Sequence, residues 1–213
     1  MRTFWRREQI EDIALVTLLD FRRATGTPLT PPIDVDLVGE LACGLQWDWD
    51  VLPEPKNTLV WAALFPHEAR VVLNETHAKK FAASSGLERF TKAHEIGHWM
   101  LHVEKEKGEY SPDVAPEFIV RGALQSIIPN RQTDWLERHA DWFAAALLMP
   151  ASIFVPIAEK TDLHNARALQ KLARTFDVSQ AALRARLSHL GFTFCGEAPN
   201  YPIVPTAFRR RTH

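Results

Sequence analysis

The stretch that most constrains the fold is KAHEIGHWMLH, residues 92–102, in which two histidines stand four residues apart. Apolar residues recur around them at helical spacing, which predicts a helix; these are Phe90, Ala93, Ile96, Gly97, Met100 and Leu101. Residues four apart lie on one face of a helix. His94 and His98 therefore present two imidazoles to the same point, and the fold has to bring a further polar group to them.

Glu95 follows the first histidine directly and completes the H-E-x-x-H pattern of zinc hydrolases. In this pattern both histidines bind the ion, and the glutamate, roughly 100° further around the helix, faces a water on the ion. The ion lowers the pKa of that water toward ~7, and the glutamate accepts its proton. The alternative is a solvated helix whose histidines have other partners. We expect one catalytic Zn²⁺ at His94 and His98, with Glu95 as the general base.

A catalytic zinc has three protein ligands and one open position, so a third ligand is needed. In LERHADWFA, residues 136–144, Glu137 and Asp141 are four apart and share a helix face. We predict that Glu137 binds the zinc and that Asp141 accepts the free N–H of a ligand histidine, which fixes its tautomer. The alternative is an exposed acidic pair. His102, one turn beyond His98, is either a partner of the ligands or a packed histidine.

The remaining pattern predicts an α+β chain. Helical spacing predicts three early helices and a late pair, at 7–26, 34–45, 76–84 and 166–192. Three short runs between 47 and 75 have strand character, so we expect a small antiparallel sheet packed on helices. Residues 104–132 look irregular apart from one helix around 116–126. We divide the chain into a domain at 1–160 and a C-terminal segment with a basic tail at 161–213.

Three stretches resemble the ImmA/IrrE family of metallopeptidases. RFTKAHEIGHWMLH resembles the family's active helix, ERHADWFAAALLMP its second signature, and LARTFDVSQAALRARLSHLGF the helical segment that commonly follows. The resemblance covers most of residues 33–192 and is closest to the short ImmA type. It implies a zincin-like metalloprotease domain followed by a helix-turn-helix-like segment. Residue by residue, it implies zinc at His94, His98 and Glu137, with Glu95 as the base.

The same resemblance implies a cytoplasmic, site-specific protease of bacterial or phage origin. Such proteins cleave a partner helix-turn-helix repressor and so relieve repression after DNA damage or stress, in mobile elements or defence operons. One position departs from the family, because Lys92 replaces the usual apolar residue after the threonine. We expect this change to alter the rim of the cleft and not the chemistry.

The C-terminal helices and the cysteines carry two further hypotheses. Arg184 and Arg186 lie where a recognition helix contacts DNA, and single-stranded DNA would then be an activator that reports DNA damage. The alternative is a helical hairpin packed on the protease domain, with solvated arginines. Cys43 or Cys195 is a candidate inhibitory thiol in the open zinc position, because thiolates bind zinc well. The alternative for Cys43 is a core residue.

Composition excludes several classes of protein. The net charge is −1, so the whole chain is not a polyanion binder, and two cysteines suit a reducing compartment without disulfides. No apolar run approaches the ~18 residues of a membrane span, and acidic residues flank the early run IALVTLL, unlike a signal peptide. We expect a cytoplasmic protein with no membrane partner. The competing hypothesis is a non-proteolytic DNA- or repressor-binding regulator, but its structural zinc would normally have four ligands and no base.

Overall fold

The computed structural model describes residues 4–54, 59–111 and 131–195. In these ranges the chain forms eight α-helices, which are α1 (Arg7–Thr25), α2 (Val35–Cys43), α3 (Ala78–Ala83), α4 (Ser85–His102), α5 (Arg131–Leu148), α6 (Ala151–Ala158), α7 (Ala166–Phe176) and α8 (Gln180–His189). It also forms five short strands, which are β1 (Gln46–Asp50), β2 (Ala62–Phe65), β3 (Arg70–Asn74), β4 (Val103–Glu104) and β5 (Glu109–Tyr110). The chain is thus α+β, as predicted.

Local sequence explains where several helices begin and end. α2 follows Asp34, whose carboxylate accepts a hydrogen bond from the Leu37 N–H. α8 follows Ser179, whose hydroxyl oxygen accepts from the Ala182 N–H. Such caps satisfy amides that have no partner inside the helix. α1 ends at Gly26, whose φ of 67° is left-handed and suits glycine. The predicted early helices and the late pair are confirmed.

The main sheet differs from the prediction in one pairing. Its strand order is β1–β3–β2, in which β2 pairs antiparallel with β3, whereas β1 pairs parallel with β3. The expectation of an antiparallel sheet is therefore wrong for β1. A tight turn at Pro66–Glu68 joins β2 to β3 and enforces antiparallel pairing, but the longer connection from β1 to β2 allows β3 to lie between them.

One hydrophobic cluster extends from α1 and the sheet through α4 and α5 to the C-terminal helices. The boundary predicted at residue 160 follows α6, yet Leu172 and Leu187 beyond it are buried in the same cluster as Ile96 and Phe143. The described part of the C-terminal segment therefore packs directly on the rest of the chain.

Helices α4 and α5 form the centre of this cluster and run in opposite directions. Asp141 of α5 contacts His94 of α4, while His102 at the end of α4 stacks on His139, nearer the start of α5. Almost every residue of α4 from Thr91 onward is buried. The helix that carries the histidine motif is therefore a core helix, and α5 covers its polar side.

Two segments depart from the sequence interpretation. α6 is not expected from the pattern, because Pro150 caps it and Pro156 lies inside it, and proline disfavours helix interiors. Part of the stretch expected to be irregular forms the β4–β5 hairpin, with Val103 opposite Tyr110. The helix predicted around 116–126 and the tail beyond residue 195 lie outside the described residues.

Over the described ranges, no single helix combines the length and the apolar character needed to cross a membrane. Helices α5 (from Trp135) and α6, which bend by 67° at their junction, meet that test only as a pair.

Candidate metal centre

Three side chains from α4 and α5 converge on one point. The Nε2 atoms of His94 and His98 are 3.0 Å apart, and the Glu137 carboxylate oxygens lie 3.3 Å from His94 Nε2 and 3.4 Å from His98 Nε2. Among the described residues this is the one group of three or more potential ligands whose donor atoms all lie within 4.8 Å of one another. The structure thus brings the two histidines together with the glutamate of the next helix.

Asp141 lies behind the first histidine of this group. Its Oδ1 is 2.9 Å from His94 Nδ1. With the proton on Nδ1, the imidazole donates to the Asp141 carboxylate and keeps the Nε2 lone pair for an ion. The Asp141 carboxylate therefore lies in position to hold the His94 ring in this tautomer.

The charges of the donors suit a cation. Burial lowers the pKa of His94, but the hydrogen bonds to Asp141 and Glu137 outweigh it and raise the pKa well above its usual value. Burial raises the pKa of Glu137, yet His94 and His98 lower it to about 2. Glu137 is therefore ionised. A cation competes with the proton on His94, so we expect its affinity to rise with pH.

Glu95 is a buried carboxylate whose hydrogen-bonding capacity is not used by the described residues. Its side chain is 0 % exposed, and neither carboxylate oxygen has a hydrogen-bond partner among the described residues. Burial raises the pKa of this carboxyl. A buried polar group without a partner is costly and calls for an explanation. Two imidazoles and one carboxylate are a common donor set for a catalytic zinc, and a water held there would satisfy Glu95.

Tyr110 lies close enough to the site for the charges of Glu95 and Glu137 to act on it, and the sequence interpretation missed it. It lies on β5, opposite Val103, in the hairpin that folds back after α4. Burial and the carboxylates of Glu95 and Glu137 raise the pKa of its phenol. The hydroxyl therefore stays protonated and is a hydrogen-bond donor near both carboxylates. No local signal could reveal it, because a two-residue strand has no periodicity to detect.

His102 and His139 form a buried ring stack beside the ligands. Their ring centroids are 5.7 Å apart with an interplanar angle of 28°, and the His102 ring lies 5.5 Å from the ring of His98. Burial lowers the pKa of both, and that of His102 lies well below the usual value. They are therefore neutral. His102 is therefore a packed histidine whose ring lies beside that of His98, one of the converging donors.

Lys92 does not lie at the rim of a cleft. It is 7 % exposed, and its Nζ lies 2.5 Å from Asp36 Oδ1 and 2.7 Å from Glu88 Oε1. The ammonium also lies 5.6 Å from the centre of the Trp47 ring. The expectation that this residue alters the cleft rim is wrong, because its charge is used to tie α4 to α2.

The two thiols lie outside the group of converging donors. Cys43 Sγ is 4.0 Å from Met100 Sδ, and burial raises the pKa of this thiol to about 12. Cys43 therefore stays protonated as a core residue, which does not support an inhibitory role. Cys195 follows α8, and its backbone N–H donates to the Leu163 carbonyl at 3.0 Å. An inhibitory role for Cys195 stays a prediction.

Arg186 points into the protein and not toward solvent. It is 1 % exposed, its guanidinium pairs with both carboxylate oxygens of Glu11, and its Nε donates to the Met149 carbonyl at 2.9 Å. The predicted nucleic-acid contact is wrong for Arg186, because a buried guanidinium with these partners cannot reach a phosphate. Arg184 is half-buried, and its contact stays a prediction. On α7, Arg167, Lys171 and Arg174 are exposed basic residues.

A cavity of about 230 Å³ lies elsewhere, between α1, the start of α6 and the end of α8. Its walls include Glu11, Leu15, Ala146 and His189, and none of the converging donors. This cavity is therefore separate from the metal centre.

Comparison with known proteins bears on the same helices. The family model Peptidase_M78, described as the IrrE N-terminal-like domain, matches residues 63–188, which is more than half of the chain. The matched interval contains α4 and α5 with all three converging donors. No curated protein matches the chain at a significant level.

Proposed function

We propose that this chain, which belongs to the Peptidase_M78 family of IrrE N-terminal-like domains, is a zinc-dependent endopeptidase. The family is one of metal-dependent peptidases, so peptidase chemistry follows from membership. The observation that carries the finer proposal is Glu95, a buried carboxylate with no partner among the described residues, beside two histidines and a glutamate that converge. That combination supplies both a metal site and a base, which hydrolysis of an amide requires.

The site residues divide the work by position. His94 and His98 from α4 and Glu137 from α5 would hold the zinc, which would supply activation of a water and polarisation of the scissile carbonyl. Asp141 fixes the tautomer of His94. Glu95 accepts the proton of the attacking water and passes it to the leaving amine.

Tyr110 supplies a hydrogen-bond donor for the substrate's carbonyl oxygen, which the ionised carboxylates of the site cannot do. Negative charge develops on the carbonyl oxygen as water attacks, and a donor aimed at that oxygen stabilises the transition state. Glu95 and Glu137 are acceptors in their ionised forms. The phenol of Tyr110, kept protonated near both, is the donor in the described part of the site that fits this role.

The substrate that we propose is a partner helix-turn-helix repressor, cut at one site to relieve repression after DNA damage or stress. Support comes from the resemblance of the two metal helices and the C-terminal helices to the ImmA/IrrE family, and from the match to the IrrE N-terminal-like domain. The reaction would take place in the cytoplasm, where free thiols such as Cys43 and Cys195 are stable, and in a mobile-element or defence setting.

Single-stranded DNA is the activator that we propose, with α7 as its contact. Arg167, Lys171 and Arg174 are spaced by four and three residues and are all exposed, so they form one basic face. α7 contains no acidic residue. Reversing all three charges should abolish DNA-stimulated cleavage. DNA stimulation that is insensitive to the reversal at low salt would contradict the assignment.

The competing candidate is a non-proteolytic regulator with a structural zinc. It predicts a fourth protein ligand and no need for a base. The group of converging donors in the described residues has three members, and Glu95 lies beside it without a partner. Both observations favour the enzyme.

The decisive experiment compares wild type with Glu95→Gln. Both proteins are loaded with zinc, incubated with candidate helix-turn-helix repressors from the source genome, with and without single-stranded DNA, and analysed by intact-mass spectrometry. We expect one zinc per chain in each protein, a single cleavage by wild type, and a loss of ~10²–10⁴-fold in rate for Glu95→Gln. Cleavage that persists in the variant would reject Glu95 as the base. Zinc without any cleavage would favour the regulator.

A further inference from the structure

Helices α4 and α5 meet almost backbone to backbone at Gly97 and Ala140. A Cβ atom at residue 97 would lie 3.0 Å from the Ala140 Cα, 3.1 Å from the Ala140 carbonyl oxygen and 3.2 Å from the Phe143 Cβ. Two of these atoms belong to the backbone of α5, which cannot rotate out of the way. Any side chain at residue 97 would therefore force the two helices apart by a few tenths of an ångström.

This contact has the same position relative to the site residues on both helices. On α4, His94 lies three residues before Gly97 and His98 lies one residue after it. On α5, Glu137 and Asp141 have the same spacing around Ala140. Because the helices run in opposite directions, the register places Asp141 2.9 Å from His94, and Glu137 3.3 Å from His94 and 3.4 Å from His98. The helices therefore meet at the centre of the ligand set.

We propose that Gly97 is a positioning residue for the third ligand, because its lack of a side chain sets the separation of α4 and α5 at which Glu137 reaches the histidines. Both histidines lie on α4, so their spacing belongs to one helix. Glu137 is the member of the set that depends on the distance between helices. Metal sites tolerate errors of about 0.2 Å in ligand distance, which is less than the shift that a Cβ demands.

The inference rests on the proposed zinc site but concerns metal binding and not cleavage. We would measure the zinc affinity of Gly97→Ala by competition with a chromogenic chelator, and record the visible absorption of the Co²⁺ complex. We expect ~10–100-fold weaker zinc binding, comparable to loss of an orienting partner. The ligand-field absorption should also weaken, because a poorly placed carboxylate lets additional waters bind and raises the coordination number of Co²⁺ above four.

A double-mutant cycle separates positioning from general damage. In the Glu137→Ala background, Gly97→Ala should change zinc affinity by less than about twofold, because the ligand that it positions is already gone. Ala144→Gly is the matched control, since it weakens α5 at a buried position without adding atoms to the contact, and it should bind zinc like wild type. Ala140→Ser adds one buried atom next to the contact and should also lower the zinc affinity. This variant tests the inference if Gly97→Ala does not fold.

Wild-type zinc affinity in folded Gly97→Ala, or in Ala140→Ser if the first variant does not fold, would overturn the inference. An equal loss with and without Glu137 would also overturn it. If wild type itself bound no zinc, the proposed function would fail together with the inference. If wild type binds zinc and the substitutions leave its zinc affinity unchanged, the inference fails but the proposed zinc site stands.

Discussion

The α4–α5 pair and the α7–α8 hairpin both bury ionisable side chains, but they leave them in different states. In α4 and α5, Glu95 is buried with no partner among the described residues, and three further side chains converge with donor atoms directed at one point. In α8, Arg186 is just as buried, yet its guanidinium is engaged by Glu11 and by the Met149 carbonyl. The first arrangement is open to a ligand, whereas the second is closed by the protein itself.

The difference teaches that burial of a charge does not by itself indicate function. Lys92 makes the same point inside α4, because it is as buried as the neighbouring His94 but is paired with Asp36 and Glu88. What marks a site is hydrogen-bonding capacity that the fold leaves unused. The following predictions test this contrast, beginning with the largest expected effect.

Replacing Arg186 should damage stability and leave the metal site intact. Arg186→Met removes the partner of Glu11 and of the Met149 carbonyl, and breaking a buried ion pair of this kind costs about 3 kcal/mol. Urea unfolding of the zinc-free protein measures the cost. Arg174→Met, on the exposed face of α7, is the control and should stay within about 0.5 kcal/mol of wild type. Zinc affinity that falls with Arg186→Met would contradict the contrast between the two regions.

Asp141→Asn should lower the zinc affinity and have a smaller effect on stability than Arg186→Met. The side chain of Asp141 is 52 % exposed, so its replacement should cost less unfolding free energy than the loss of the buried Arg186. The amide no longer attracts the N–H of His94 as a carboxylate does, so zinc affinity should fall ~10–100-fold. Competition with a chelator measures the affinity, and Asp50→Asn on β1 is the control. Unchanged zinc affinity would reject Asp141 as the orienting partner.

The smallest expected effect is the loss of stability at acidic pH that arises from His189. Burial, with Arg7 and Arg186, lowers the pKa of His189 to about 4 from an unfolded value near ~6.5. Between these values the unfolded chain binds a proton that the folded chain does not, so stability falls as pH falls through this window. The contribution is about 1 kcal/mol for a partly buried group. The His189→Gln variant lacks this titration. The unfolding free energy of wild type minus that of the variant should therefore fall as the pH is lowered from 7 to 4.5. A difference that does not change with pH would contradict the lowered pKa.

The candidate ligands were predictable because each pair is local. His94 and His98, and likewise Glu137 and Asp141, share a face through the helical repeat alone. The position of Glu95 beside the histidines follows from the same geometry. Tyr110 was not predictable, because a strand pair of two residues leaves no pattern in KEKGEY.

The fold shows the same division. The long amphipathic helices followed from their spacing, and their ends from residues such as Gly26 and Ser179. The parallel pairing of β1 with β3 did not, because strand order depends on which connection passes over which strand. Arg186 also resisted prediction, since the pattern of α8 cannot show that Glu11, far away in sequence, would meet it.

By itself, the sequence determined which residues share a helix face, where the helices stop, and that two pairs of polar side chains suit a metal. These properties depend on the backbone repeat and on neighbours in the chain. The tertiary structure alone decided that the two pairs meet, because the separation of α4 and α5 is set where Gly97 touches Ala140. It also decided that Glu11 and the Met149 carbonyl occupy Arg186, and that Tyr110 lies near Glu95 and Glu137. Such contacts come from packing between distant segments, and no local repeat encodes them.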